Sequence, residues 1–213
     1  MTMKKFSALL FSLFVMAFSL GACSLVESEE EIAEEFRSLT VGNQTLDFVQ
    51  VGELWWSTKN LYLHNDEKHC AQGLLSNCEK YGSLYTWTEA MGISPEYEDF
   101  YYEQYEDFQQ GLCPEGSHLP SRQERDTLIS HLFGSFASYQ KYFNNQRGGY
   151  YDDYLYDSYN DVGYKAYFWT STESSNSSEY SYFADVLYCY SDGYCSSTNK
   201  TKTSKLYIRC VMN

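Results

Sequence analysis

The sequence predicts an α+β fold that is strand-rich, with two short helices and long irregular loops, and stapled by disulfides. Three observations predict it. Apolar residues alternate with the two-residue period of a half-buried strand at Leu46 to Val51, and aromatic and β-branched clusters recur in the last third of the chain. Six cysteines remain once Cys23 is set aside, an even set in a chain whose leader sends it to an oxidising compartment. Two stretches rich in tyrosine and acid, from Gly92 to Gly111 and from Tyr139 to Tyr167, fit no clean period and read as surface excursions from a compact core.

At the N-terminus, Met1 to Lys5 is basic and Phe6 to Leu20 is an apolar run too short for a spanning helix. Leu20-Gly21-Ala22-Cys23 closes the run with small residues before a cysteine. The layout resembles a bacterial lipoprotein signal peptide over residues 1–22, with Cys23 as the lipidated first residue of the mature chain. Membrane lipid is therefore the expected partner of Cys23, since each acyl chain contributes about 0.8 kcal/mol per buried methylene. An ordinary secretory signal cut nearby would instead leave Cys23 as an odd thiol. Residues 23–39 form an acidic tether, with six glutamates against Arg37. Ser24 is not an aspartate, and Ser28-Glu29-Glu30-Glu31 resembles the acidic export signal of Bacteroidetes surface lipoproteins. An outer-membrane lipid anchor is expected, with the cell surface favoured over the periplasmic face. The folded domain is placed at 40–213.

Within it, Leu46 to Val51 is a strand, Gly52-Glu53 a turn, and Leu54-Trp55-Trp56 a second strand in which one indole is buried and the other exposed. Ser83 to Met91 is a short helix closed by Gly92, with Leu84, Trp87 and Met91 on one face. Pro120, Ser121 and Glu124 spell a capping box, and Leu128, Ile129, Leu132 and Phe133 supply the buried side of the helix that follows. Ser121 is thereby a cap, and His118 a packed corner residue; Ser117-His118 has neither a strained elbow nor a visible third partner for nucleophilic catalysis. Ala166 to Ser171, Tyr180 to Tyr188 and Leu206 to Val211 are strands, with Ser191-Asp192-Gly193 as a hairpin turn between the last two.

Six cysteines allow fifteen pairings. Spacing suggests two short staples, Cys70–Cys78 and Cys189–Cys195, and one long bridge, Cys113–Cys210. No zinc site is expected, because no cysteine pair has ligand spacing, and His64 and His69 share a loop with the Cys70–Cys78 pair. Asp152, Asp153, Asp157 and Asp161 are dense enough to hold calcium only weakly. No resident metal or cofactor is expected. The formal net charge of −14 disfavours nucleic acid as a partner.

The ordered series LWWSTKNL, NCEKYGSLYTWTEAM, CPEGSHLPSRQERDTLI, AYFWTSTES and LYIRCV resembles the Fibrobacter succinogenes major paralogous domain of secreted and surface lipoproteins, from about Thr40 to Asn213. Two positions depart from the family pattern: Ser117 and Arg125 stand where tryptophans are usual. The resemblance implies a C-type-lectin-like fold, with the HLP-x-x-x-E and RCV segments similar to the formylglycine-generating-enzyme branch. It carries no established activity.

Three functions are compatible with these residues. The first is a non-catalytic binding or adhesion module for polysaccharide, such as a plant cell-wall glycan like cellulose, or for protein. Trp55, Trp56, Tyr101, Tyr102 and Tyr151 are the candidate contact residues, because sugar rings stack on aromatics while carboxylates take their hydroxyls. The second is a structural or assembly partner in an envelope complex. The third is a formylglycine-generating-type oxidase, which would need Cys189 and Cys195 as a thiol pair for copper(I).

Overall fold

In the computed structural model, which describes residues 36–103, 108–132, 146–155, 157–174 and 181–213, the alternating run becomes the second strand of an antiparallel meander. β1 (Phe36–Val41), β2 (Gln44–Val51) and β3 (Leu54–Ser57) pair in sequence, and β9 (Val211–Met212) pairs with β3 to complete a sheet ordered β1-β2-β3-β9. Leu46 and Phe48 point inward from β2 and are fully buried. Gly52 makes the β2–β3 turn at φ 67°, under the ring of His131. A Cβ there would lie 2.3 Å from His131 Nε2, the end of an exposed side chain that can swing away, so it is the positive φ that calls for glycine.

The boundary of the tether is corrected. Phe36 to Leu39, assigned to the tether, are the first residues of β1. Leu39 pairs with Leu46 and packs on the core, and the Arg37 guanidinium lies 4.1 Å from the centroid of the Trp55 ring. Burying apolar surface and covering an indole outweigh the acidity of the preceding residues. The signal peptide, Cys23 and the tether up to Glu35 lie outside the described residues.

A second sheet is formed by β6 (Lys165–Glu173), β7 (Phe183–Tyr190) and β8 (Cys195–Thr201), and β4 (Tyr150–Asp152) pairs with β5 (Ser158–Asn160). Both faces of β6 and β7 are covered. Tyr167, Trp169, Ala184 and Val186 enter one apolar cluster with Leu46, Trp55 and Trp87. Ala166, Phe168, Leu187 and Cys189 enter another with Trp56, Leu84, Leu128 and Val211. This arrangement overturns the expected split of the indoles. Trp55 and Trp56 do face opposite ways, but each faces a core, and both are buried. β8 escaped the sequence because Ser196 to Thr201 carries no apolar residue; it is an edge strand whose outer positions remain polar.

Three α-helices lie among the described residues: α1 (Leu75–Tyr81), α2 (Trp87–Met91) and α3 (Arg122–Leu132). α1 has no counterpart among the elements expected from the sequence; it starts within the Cys70–Cys78 loop, carries Cys78 itself and runs on to Tyr81. α2 starts later than expected, because Tyr85 exchanges backbone hydrogen bonds with Leu206 at 2.8 and 2.9 Å and so cannot join a helix. Thr86 and Glu89 form a capping box at its start, and Gly92 closes it. Tertiary pairing also shortens the expected last strand: Leu206 and Tyr207 make single bridges, and only Val211 and Met212 join a sheet.

All three disulfides form as the spacing suggested. The five sequence motifs meet in the interior. Arg209 is fully buried and donates from Nε to Asn60 Oδ1 at 2.6 Å. Trp87 donates its indole N–H to the Thr170 carbonyl, and Trp169 donates to that of Tyr85. His118 and Val211 exchange backbone hydrogen bonds at 2.9 Å each, beside the Cys113–Cys210 bridge. The motif residues therefore hold the two sheets and the corner together.

Candidate functional site

At the corner, Glu124 Oε2 accepts the Ser121 backbone N–H at 2.7 Å, as the capping-box pattern predicts, and its Oε1 lies 2.8 Å from His118 Nε2, a contact that pattern does not contain. Burial pushes the Glu124 carboxyl up, but the hydrogen bonds from His118 and Ser121 and the His118 charge outweigh it, and the group sits below the usual glutamate range. The Ser117 hydroxyl donates to the Pro114 carbonyl at 2.8 Å and not to His118. Ser117 and Arg125 are both buried, so neither position lies on a surface. Arg125 is held by Asp126 at 2.8 Å and Asp185 at 3.4 Å. Cys189 and Cys195 are joined and buried, which leaves no thiol pair for copper.

Exposed aromatics and acids converge elsewhere. A cleft of about 440 Å³ opens between the 95–99 turn, the loop after β4, the start of β7 and the end of β8. Its aromatic wall is Tyr154, Tyr182 and Phe183, which are 72%, 47% and 45% exposed and so present their rings to solvent. Its acidic wall is Glu98, Asp99 and Asp153. Thr203 Oγ1 donates to Asp153 Oδ1 at 2.9 Å and fixes that carboxylate.

A buried ion pair adjoins this cleft, since Lys202 stands in the chain between Thr201 and Thr203, which line it. Lys202 is fully buried, and its ammonium donates to Glu173 Oε1 at 2.6 Å and to the Tyr97 and Phe100 carbonyls at 2.8 Å each. Burial pulls the Lys202 ammonium below the usual lysine range, partly countered by its hydrogen bond to Glu173. Glu173 Oε1 also accepts the Tyr102 backbone N–H at 2.9 Å. The Ser181 N–H donates to the Asp99 carbonyl at 3.1 Å, and the Lys202 N–H to that of Tyr182 at 2.8 Å. One cation thus pins the acidic turn to β6 and β8, while backbone bonds tie it to the aromatic wall.

The sequence-predicted contact residues do not assemble here. Trp55 and Trp56 are buried in the two cores. Tyr102 is half-buried against Trp87 and Tyr97. Tyr101 is exposed two residues beyond Asp99, but it does not line the cleft. Tyr151 is half-buried, and its hydroxyl donates to Asp157, which with burial pushes it up to about 12. None of the residues that line the cleft is among the sequence-predicted contacts; Glu98, Asp99, Asp153 and Tyr154 come from the two long excursions that mix tyrosine with acid, and Tyr182, Phe183, Thr201 and Thr203 lie outside them.

Metal-competent side chains are placed differently from expectation. Asp152, Asp153, Asp157 and Asp161 do not converge: they serve the Tyr154 and Leu155 N–H groups, Thr203, Tyr151 and Lys165 respectively. His64, Asp66 and His69, in contrast, bring one ligand atom each within 4.8 Å of one another. Among the described residues no helix is long and apolar enough to cross a membrane. Comparison of the chain with family models, curated proteins and solved structures finds no match.

Proposed function

We propose that this chain is a lipid-anchored, surface-displayed binding module of the Fibrobacter major paralogous kind, with a C-type-lectin-like fold, and that its ligand is a polysaccharide held in the cleft beside Tyr154 and Tyr182. The observation that carries the reading is the pairing of three exposed aromatic rings with three carboxylates across one cleft. Aromatic faces receive the apolar faces of sugar rings, and carboxylates accept charge-assisted hydrogen bonds from sugar hydroxyls. The volume lies in the range of ligand sites, roughly 300–1,000 Å³. The family reading is supported by the five motifs in their order and by their meeting in the interior.

The acidic wall selects within polysaccharides. Glu98, Asp99 and Asp153 repel uronate or sulfate groups, so neutral glycans of the cellulose type are favoured over pectin-like ones. Retention on insoluble cellulose and on other neutral glycans, compared with an anionic glycan, tests this. Tyr154→Ala and Tyr182→Ala should each weaken retention about tenfold, equivalent to about 1.4 kcal/mol. Absence of retention on every neutral glycan, with disulfides intact, would end the reading.

A further inference from the structure

We propose that His64, Asp66 and His69 form a binding site for a borderline divalent transition metal, of which zinc is the best fit. The site lies outside the cleft and does not depend on the glycan reading.

Its ligand set comes from a short loop whose backbone is fixed on both sides. The His64 N–H donates to Ser83 Oγ at 3.2 Å, and that hydroxyl donates to the His64 carbonyl at 2.6 Å. The His69 carbonyl accepts the Leu84 N–H at 2.7 Å, and Cys70 next to it is bridged to Cys78. Asp66 Oδ1 accepts the backbone N–H groups of Lys68 and His69 at 2.9 and 3.1 Å, closing the turn that brings the two histidines together. The imidazoles consequently stack, with centroids 4.2 Å apart and planes 19° from parallel, and both lie against Tyr85.

The distances suit a small ion. Ligand bonds of about 2.0–2.1 Å in a tetrahedron put neighbouring ligand atoms roughly 3.4 Å apart. His69 Nδ1 and Asp66 Oδ1 are already 2.8 Å apart, and all three ligand atoms lie within 4.8 Å. His64 is exposed, so its ring can pivot the remaining distance without disturbing the core. Two imidazoles and one carboxylate favour zinc, nickel or copper over calcium or magnesium, whose sites are built from oxygen. The acidic chain raises the local concentration of any cation.

A further carboxylate stands behind the ligands. Glu89 Oε1 lies 3.6 Å from His69 Nε2, and its other oxygen is held at 2.8 Å by the Thr86 N–H of the α2 capping box. With Nδ1 bound to a metal, a neutral His69 ring carries its one proton on Nε2, facing Glu89. That is the carboxylate–histidine–metal arrangement which fixes the tautomer and raises the basicity of the ligand nitrogen.

The test uses the full-length, detergent-solubilised, oxidised protein without an affinity tag, titrated with zinc chloride by calorimetry and with cobalt(II) by visible absorption. One equivalent of zinc should bind in the low-micromolar range or tighter, and cobalt should give the bands of a four-coordinate nitrogen and oxygen site. His64→Ala, which alters only an exposed ring, should abolish both signals. Glu89→Gln keeps a competent capping residue but loses the charge facing His69, and should weaken binding about 10–100-fold. Absence of saturable binding below millimolar zinc, or binding unchanged in His64→Ala, overturns the assignment.

Discussion

Replacing Lys202 by alanine should be among the most damaging single changes in this chain, and its cost follows from its surroundings. The substitution removes a fully buried ammonium with three acceptors, leaving Glu173 as a buried carboxylate whose counter-charge is gone. Breaking a buried pair on one side costs about 3–5 kcal/mol, mostly the penalty of the orphaned charge. With a urea slope of about 2 kcal/mol/M, the unfolding midpoint should fall by roughly 2 M. The double variant Lys202→Met/Glu173→Leu should recover most of this loss, because it removes both charges and keeps the volume. It should still bind glycan poorly, since the Tyr97 and Phe100 carbonyls lose the donor that fixes the acidic wall. A midpoint for Lys202→Ala within about 0.3 M of the wild type would refute the account, since a shift that small corresponds to well under 1 kcal/mol.

Other outcomes follow from the same structure. Cys113→Ala/Cys210→Ala opens a loop with a sequence separation of 97 and should cost about 4.7 kcal/mol in denaturant unfolding; Cys70→Ala/Cys78→Ala, with a separation of 8, should cost roughly half as much. Equal losses would rule out the unfolded-state origin of the difference. Because the Glu124 carboxyl is held below the usual glutamate range, its contribution is present above pH about 4.5 and lost as pH falls through its folded value. The stability gap between wild type and Glu124→Gln should therefore be widest near neutrality and close in acid, as read from chemical unfolding at a series of pH values. Arg209→Lys should cost about 2 kcal/mol, since an ammonium cannot reproduce the planar fork that serves Asn60, Ser57 and Gln146 together; a variant as stable as wild type would show that charge alone suffices there.

What was legible in the sequence is local. The alternation in β2, the Ser121–Glu124 capping box and the Gly92 cap depend on neighbours within a few residues, so periodicity and turn chemistry reveal them. The disulfide pairing was legible for a related reason: two cysteine pairs are close in the chain, and one long bridge remained. The start of α2 was misplaced because Tyr85 is taken by Leu206, a partner far away in the chain. β8 was missed because an edge strand needs no apolar alternation.

By itself, then, the sequence determined a strand-rich, disulfide-stapled α+β domain and a corner whose serine and histidine are structural. Only the tertiary structure decided which aromatics face solvent. Strand alternation says that Trp55 and Trp56 point opposite ways, but not that both faces are covered. Nor does any local pattern bring Tyr154, Tyr182 and Glu98 to one cleft, or aim Glu89 at His69. Those juxtapositions join residues from distant parts of the chain, and they exist only once the sheets have packed.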